Sequence, residues 1–451
     1  MIRLTDAEMQ SFVRNGYIKF RPDYPPELHE AIRRKTDQML EKWGNPRNNL
    51  LPRIPEIQHV FDHPRVHGAL SSILGDDYYL HLHRHVHSNM PGSKGQGMHK
   101  DSLNNSRFAV DDNRRHHHTR WAMAFYYPQD TPVEMGPTAA MPQSQYLNTR
   151  ERFEDAPELP LSGEAGTVTI VHYDVLHRAM PNKTDKVRHM VKFLFTRMSE
   201  PSEPSWTGGD RWEPSDDPQE RIWHHVWEWH GGPNGRRPQP SKSVAELSAD
   251  LGGESETASV NAAYELALSG EEGVQTLIEA LSDESGARRR DAGYGLSSAG
   301  EAAAEPLTEA ARSEDAGVRA RAIDALGDLG QNGRAGMEVM IDALGDESHQ
   351  LRRHAVEALG TAAQDCPEAV EPIANALKDE NDIVRRSAAL SLARMGETAA
   401  PSVPALSEAL SDPHYYVRGF SVQALRQIGT PEATEALVHY LEATRWDPAQ
   451  G

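Results

Sequence analysis

Apolar and polar positions change period twice along this chain of 451 residues. Residues 4–40 carry helical spacing: LTDAEMQSFVRNG opens on a Thr cap and stops at Gly, and PPELHEAIRRKTDQMLEKW has Pro near its start. Beyond about residue 78 the texture becomes short strand-like runs separated by Gly, Pro and Asn turns, clearest in YYLHLHRHVH, RWAMAFYYP, GTVTIVHYD and VRHMVKFLFTR. Short strands with frequent turns predict a barrel or jelly roll. Helical spacing returns in PQERIWHHVWEWHGG, where Ile222, Trp223, Val226, Trp227 and His230 share one face that reads as a packing stripe. GGPNGRRPQPSKS, residues 231–243, has the composition of a linker.

From residue 287 onward an arginine-centred phrase recurs, with Arg289, Arg319, Arg352, Arg385 and Arg418 spaced 30, 33, 33 and 33 apart. Eleven residues after each stands Gly300, Gly330, Ala363, Gly396 or Gly429, where a helix is expected to stop. Six residues before stand Asp283, Ser313, Asp346, Asp379 and Asp412, read as N-caps of the second helix of each unit. Val384, Ala388, Leu392 and Met395 fall on one helical face, and Val403, Leu406 and Leu410 repeat the pattern in a further helix. This is a stack of helix pairs. The ankyrin and tetratricopeptide signatures are missing, and the D-x5-R phrase looks like short HEAT-like repeats. Residues 258–272 read as a degenerate first unit without the arginine. An arginine recurring at one place in every unit is expected to form a structural ladder with the repeated Asp. The architecture predicted is a double-stranded β-helix (jelly roll) with flanking helices over 1–230, a linker over 231–243, and an all-α HEAT-like solenoid over 244–445.

Charge separates the halves further. The net charge is −20, and residues 243–451 hold 36 acidic and 16 basic side chains, leaving 31 of each in 1–242. Eighteen of the 22 histidines precede residue 243. Such asymmetry points to two domains with different jobs. It argues against nucleic acid as the partner, because phosphate binding needs a basic footprint. The single cysteine, Cys366, excludes an intramolecular disulfide or a Cys-based zinc cluster, and suits a reducing cytoplasm. No secretory signal is expected from MIRLTDAEMQSF, and no apolar run approaches the roughly 18 residues of a membrane span.

Two segments compete as a metal site. HLHRHVH places His81, His83, His85 and His87 at every second position, so that on a strand all four imidazoles project one way. GMHKDS offers His99 and Asp101 at i, i+2, with Lys100 pointing to the other side. A lone HxD is weak, but GTVTIVHYDVLHRAMPNKTDKVRHMVKF adds His177, followed by Asn182 and Arg188. Two histidines and one carboxylate can form the facial triad of non-haem Fe(II) oxygenases, leaving three cis positions open. A bidentate 2-oxo acid takes two of these and dioxygen the third, and the acid's second carboxylate requires a fixed cation. Arginine suits it, because its planar fork pairs bidentately and stays charged. His172 rivals His177, and HHHTRW at 116–118 reads as a solvated loop.

Over roughly residues 1–200 the chain resembles the phytanoyl-CoA dioxygenase family of Fe(II)/2-oxoglutarate oxygenases, where an HxD is followed by G-x10-H-x4-N-x5-R. Gly166, His177, Asn182 and Arg188 meet that spacing without gaps. LTDAEMQSFVRNGYIKF is similar to the family's first helix and strand, and FYYPQDTPVEMGPTAAMPQSQ to a strand, a Gly-Pro turn and a further short strand. Here Met135–Gly136 and Gln143–Ser144–Gln145 replace the family's usual Asn before the glycine and its Gly-Ser-His ending. The resemblance implies that His99, Asp101 and His177 bind iron and that Arg188 holds 2-oxoglutarate. It implies hydroxylation of a small organic substrate with O2, since halogenating relatives lack the carboxylate supplied here by Asp101. Pocket-lining candidates are His83, His85, Tyr127, Thr138 and Asn182. The repeats are expected to bind a protein partner. The alternatives are a non-catalytic interaction protein built on a degenerate oxygenase fold, and a jelly-roll metal enzyme that uses the His81–His87 strand instead.

Overall fold

A computed structural model describes residues 1–101, 117–149, 153, 156–209, 211–232 and 239–444. It divides into two compact units, Met1–Ser215 with Val226–Gly235, and Asp216–His225 with Arg236–Gly451.

In the first unit, helix α1 (Asp6–Asn15) begins at a capping box: the Thr5 side chain accepts from the Glu8 backbone N–H, and the Glu8 carboxylate accepts from that of Thr5. It stops at Gly16, whose φ of 75° lies in the left-handed region that a helix C-terminus favours. Met9, Phe12 and Val13 form its buried face. Helix α2 (Pro26–Trp43) starts with Pro at its first turn and buries Ile32 and Met39.

Among the described residues there are eight short strands: β1 (Tyr17–Phe20), β2 (Tyr79–Asn89), β3 (Trp121–Tyr126), β4 (Thr138–Met141), β5 (Leu159–Pro160), β6 (Val168–His172), β7 (Leu176–Ala179) and β8 (Arg188–Thr196). They form two antiparallel sheets, one ordered β1-β6-β3-β8-β2 and the other β5-β4-β7. This is the jelly-roll arrangement, in which the inward-facing residues of two sheets make the core. β3 and β8 are central in the larger sheet and buried at every position. Phe193 and Phe195 of β8 pack on Phe61, with ring centroids 4.3 and 5.8 Å away. Burying each ring contributes on the order of 2–3 kcal/mol.

In the second unit, helix pairs succeed one another from Glu256–Ala267 with Gly270–Ala280 to Tyr415–Ile428 with Pro431–Ala443. The segment 258–272 lies in the first pair. Val384, Ala388, Leu392 and Met395 are buried, as are Val403, Leu406 and Leu410. Each repeated arginine reaches back to carbonyls at the preceding helix junction, as Arg352 does to Asp346 and Glu347. From Arg319 on, three of them also reach forward to the next unit's aspartate: Arg319 to Asp346, Arg352 to Asp379 and Arg385 to Asp412. The aspartates are not the N-caps expected from the sequence. Ser285, Ser348, Asn381 and His414 occupy that position two residues later, and Asp283, Asp346, Asp379 and Asp412 each accept from the cap residue's backbone N–H at 2.7–2.8 Å. The aspartate therefore tightens the turn before the helix while its charge faces an arginine. Among the described residues, no helix is long and apolar enough to cross a membrane.

Candidate metal centre

The smaller sheet brings distant residues together. His99 and His177 oppose each other in an antiparallel bridge and exchange both backbone hydrogen bonds, at 3.0 and 2.9 Å. Their rings lie 4.6 Å apart. His99 Nδ1 faces the Gly97 carbonyl at 2.9 Å and His177 Nδ1 the Val175 carbonyl at 3.0 Å. A carbonyl can only accept, so both Nδ1 atoms carry the proton and both Nε2 atoms keep a lone pair. Each Nε2 lies 3.8 Å from the same atom, Oδ1 of Asp101. The three donor atoms all fall within 4.8 Å of one another. Cis ligands about 2.1 Å from one ion sit roughly 3 Å apart, so a contraction of less than an ångström for each carboxylate–imidazole pair would complete a site. One carboxylate oxygen and two imidazole nitrogens form a donor set that fits Fe(II).

The second oxygen of Asp101, Oδ2, accepts from Lys192 Nζ. Burial opposes ionisation of Asp101, yet the Lys192 ammonium, aided by the imidazoles, outweighs it and holds the carboxyl well below its usual range. Burial pushes His177 down to about 4, against the pull of Asp101. The imidazole is thus neutral near pH 7, the form that ligates a metal. Lys192 was not singled out from the sequence. It stands four residues after Arg188 on β8, and the same alternation that carries Arg188 into the cavity carries Lys192 there too.

A cavity of about 380 Å³ contains His99, Asp101, His177, Arg188 and Lys192 in its lining, with Thr138 and His87. Arg188 is 1 % exposed, donates Nε–H to the Gly136 carbonyl at 3.0 Å and donates from Nη1 to that of His87 at 3.2 Å. Two of the five guanidinium donors are thus used to fix the fork. Gly136 has φ 70°, and a Cβ there would lie 2.5 Å from Asn89 Nδ2 and 2.6 Å from the Met180 carbonyl oxygen. Glycine permits both the turn and the close approach that aims its carbonyl at Arg188.

Of the other pocket-lining candidates, Thr138 faces the cavity, whereas His83, His85, Tyr127 and Asn182 are outside its lining. The Tyr127 hydroxyl accepts from the Thr138 backbone N–H at 2.9 Å. Asn182 closes the turn into β8, donating to the Asn89 and Lys186 carbonyls and accepting from Thr184. Lys100 turns away from the ligand pair and donates to the Gln145 and Leu147 carbonyls. His172 packs edge-on against Tyr146, outside the cluster. Gln145 donates to the Val13 and Arg14 carbonyls at the end of α1, so the altered ending of that loop serves packing.

Two further expectations are corrected. His117 and His118 do not lie in a solvated loop: they are 3 % and 5 % exposed, His117 Nε2 meets the Tyr146 carbonyl at 2.7 Å, and His118 stacks on Trp229 at 4.8 Å. His116 lies outside the described residues. The four histidines of β2 do not all share one face, because the β2–β8 register shifts between Leu80 and Arg84. His81 packs against Trp121, while His83, His85 and His87 cluster.

The first unit is thus a jelly roll that carries a His–Asp–His cluster, and the second is a helical repeat array. The family model for phytanoyl-CoA dioxygenase (PhyH) matches residues 34–190, and that for HEAT repeats matches 337–403 and 399–450. Residues 34–190 therefore match a phytanoyl-CoA dioxygenase (PhyH) domain, and HEAT repeats follow it over 337–450. No curated protein sequence matches it. Similar solved structures include SnoN, a non-heme alpha-ketoglutarate-dependent epimerase from nogalamycin biosynthesis, at 16 % identity and TM-score 0.35, covering 43 % of this chain and 83 % of that one. SnoK, a carbocyclase from the same biosynthesis, has 18 % identity and TM-score 0.36, covering 44 % and 85 %. The non-heme monooxygenase ThoJ, as a nickel complex, has 15 % identity and TM-score 0.35, covering 46 % and 90 %.

Proposed function

We propose that this protein is an Fe(II)/2-oxoglutarate-dependent dioxygenase that hydroxylates a small organic substrate. The observation that carries the reading is the approach of His99 Nε2, His177 Nε2 and Asp101 Oδ1 to one another on a cavity shared with buried Arg188. His99, Asp101 and His177 would hold the iron, and Arg188 the far carboxylate of 2-oxoglutarate. Bound iron and co-substrate supply the oxidising power: one O2 converts 2-oxoglutarate to succinate and CO2 and a substrate C–H to C–OH.

The chain's own residues set geometry and charge. The Gly97 and Val175 carbonyls fix both imidazole tautomers, as partners of metal-bound histidines do. Lys192 engages Oδ2 of Asp101 and leaves Oδ1 toward the imidazoles, which favours one-oxygen ligation. Gly136 and the His87 carbonyl orient the Arg188 fork. Burial excludes water around these charges and strengthens their interactions.

Catalysis belongs to residues 1–230, and residues 244–445 bind a protein partner across the linker 231–243. The lone Cys366 suits a cytoplasmic setting. Succinate release with iron, ascorbate, oxygen and candidate substrates tests the activity. Asp101→Ala and His177→Ala should each abolish it, and variants that retain wild-type turnover would refute the assignment.

A further inference from the structure

The histidines of β2 form a second cluster that the proposed oxygenase chemistry leaves without a role. His83, His85 and His87 each offer a ring nitrogen, and these atoms lie within 4.8 Å of one another. The ring centroids are 4.3 Å apart for His83 and His85 and 5.9 Å for His85 and His87. Residues i and i+4 of a regular strand are about 13 Å apart along the chain, so such convergence is not what strand spacing alone delivers.

Two observations point to a ligand. His87 Nε2 is buried and has no hydrogen-bond partner, and burying such a group without one is unfavourable. His85 Nε2 faces Asn48 Oδ1 at 3.2 Å. Because that oxygen only accepts, Nε2 carries the proton and Nδ1 keeps its lone pair, the outer-partner arrangement typical of metal-bound histidine. The cation facing the cluster from β8 is Lys192, Cα partner of His85, and its charge is directed to Asp101.

We infer that His83, His85 and His87 form a second divalent-metal site, distinct from the His99–Asp101–His177 cluster and suited to a zinc-class ion. Three imidazoles without a carboxylate disfavour Mg2+ and Ca2+, which take oxygen ligands, and match Zn2+, whose four-coordinate preference leaves one position for water. His87 also lines the cavity, so an ion held here adds charge to the cavity wall. The inference stands independently of the oxygenase reading, since it concerns binding alone.

The test is Zn2+ titration of chelator-stripped full-length protein, followed by calorimetry. Two equivalents are expected for the wild type, one for His83→Asn/His85→Asn, and one for Asp101→Ala/His177→Ala. A wild type that binds a single equivalent, lost in the Asp101 and His177 variant, would overturn the inference. Asn48→Ala guards against misfolding, because Asn48 touches none of the residues proposed to hold iron. It should weaken one of two zinc sites about 10- to 100-fold and leave the other unchanged. Two unaltered affinities would count against the site.

Discussion

Replacing Arg188 with Gln removes the cation proposed to meet the far carboxylate of 2-oxoglutarate. The wild-type guanidinium is 1 % exposed, held by the Gly136 and His87 carbonyls, and opens on the cavity that holds His99, Asp101 and His177. A carboxylate arriving there is desolvated and relies on the fork. Truncating one partner of a buried, hydrogen-bonded charge pair costs about 2–5 kcal/mol. At about 1.4 kcal/mol per decade, the dissociation constant for 2-oxoglutarate should rise about 30- to 4,000-fold. Arg188→Lys keeps the charge but loses the planar fork, and should fall in between, near tenfold. The assay is calorimetric titration of 2-oxoglutarate into Mn(II)-loaded protein without oxygen, with Mn(II) affinity measured separately. Metal affinity should stay within about twofold, since the guanidinium holds no hydrogen bond to Asp101, His99 or His177. Wild-type 2-oxoglutarate affinity in Arg188→Gln would refute the reasoning.

Lys192→Met leaves Asp101 as a buried carboxylate without its cation, which costs about 3–5 kcal/mol and should lower the melting temperature of the metal-free first unit by roughly 6–20 °C. Saturating divalent metal should raise that temperature further in the variant than in the wild type, and equal increments would argue against the Lys192–Asp101 link. Gly136→Ala forces a Cβ into Asn89 and Met180, so weaker 2-oxoglutarate binding is expected together with loss of stability. Differential scanning fluorimetry beside the same titration would check both. Glu200 pairs bidentately with Arg120 at 2.8 and 2.9 Å, and although burial opposes ionisation, Arg120 holds the carboxyl down to about 2. A depressed carboxyl stabilises the fold above its unfolded value near 4.5 and loses that contribution as pH falls toward 2. Chemical denaturation of Glu200→Gln at pH 7 should show a loss of about 3 kcal/mol that shrinks steadily as pH falls from about 4.5 toward 2, and a pH-independent difference would contradict it.

Much of the site was readable from spacing, because its parts lie on strands whose alternation fixes direction. Gly166, His177, Asn182 and Arg188 follow one another through β6, β7, the turn and β8, so sequence distance translates into position. Lys192 could be placed by alternation, but its partner could not. Asp101 reaches it only because the His99–His177 bridge sets where that segment lies, and a bridge between residues 78 apart leaves no periodic trace. The misreading of His117 and His118 has a similar origin, since a polar run looks solvated until Trp229 and the Tyr146 carbonyl arrive from elsewhere. In β2 the period-two pattern was correct locally and failed at the register shift after Leu80, which depends on pairing with β8. In the repeats, Asp379 and Asp412 have the composition of N-caps but sit two residues early, because each also answers an arginine of the preceding unit.

The most direct test is the visible spectrum of the protein with Fe(II) and 2-oxoglutarate in the absence of oxygen. A weak charge-transfer band should appear only when both are present, saturate at one iron per chain, and disappear in Asp101→Ala and in His177→Ala. No band in folded wild-type protein, or an undiminished band in both variants, would show that these three side chains do not hold the iron.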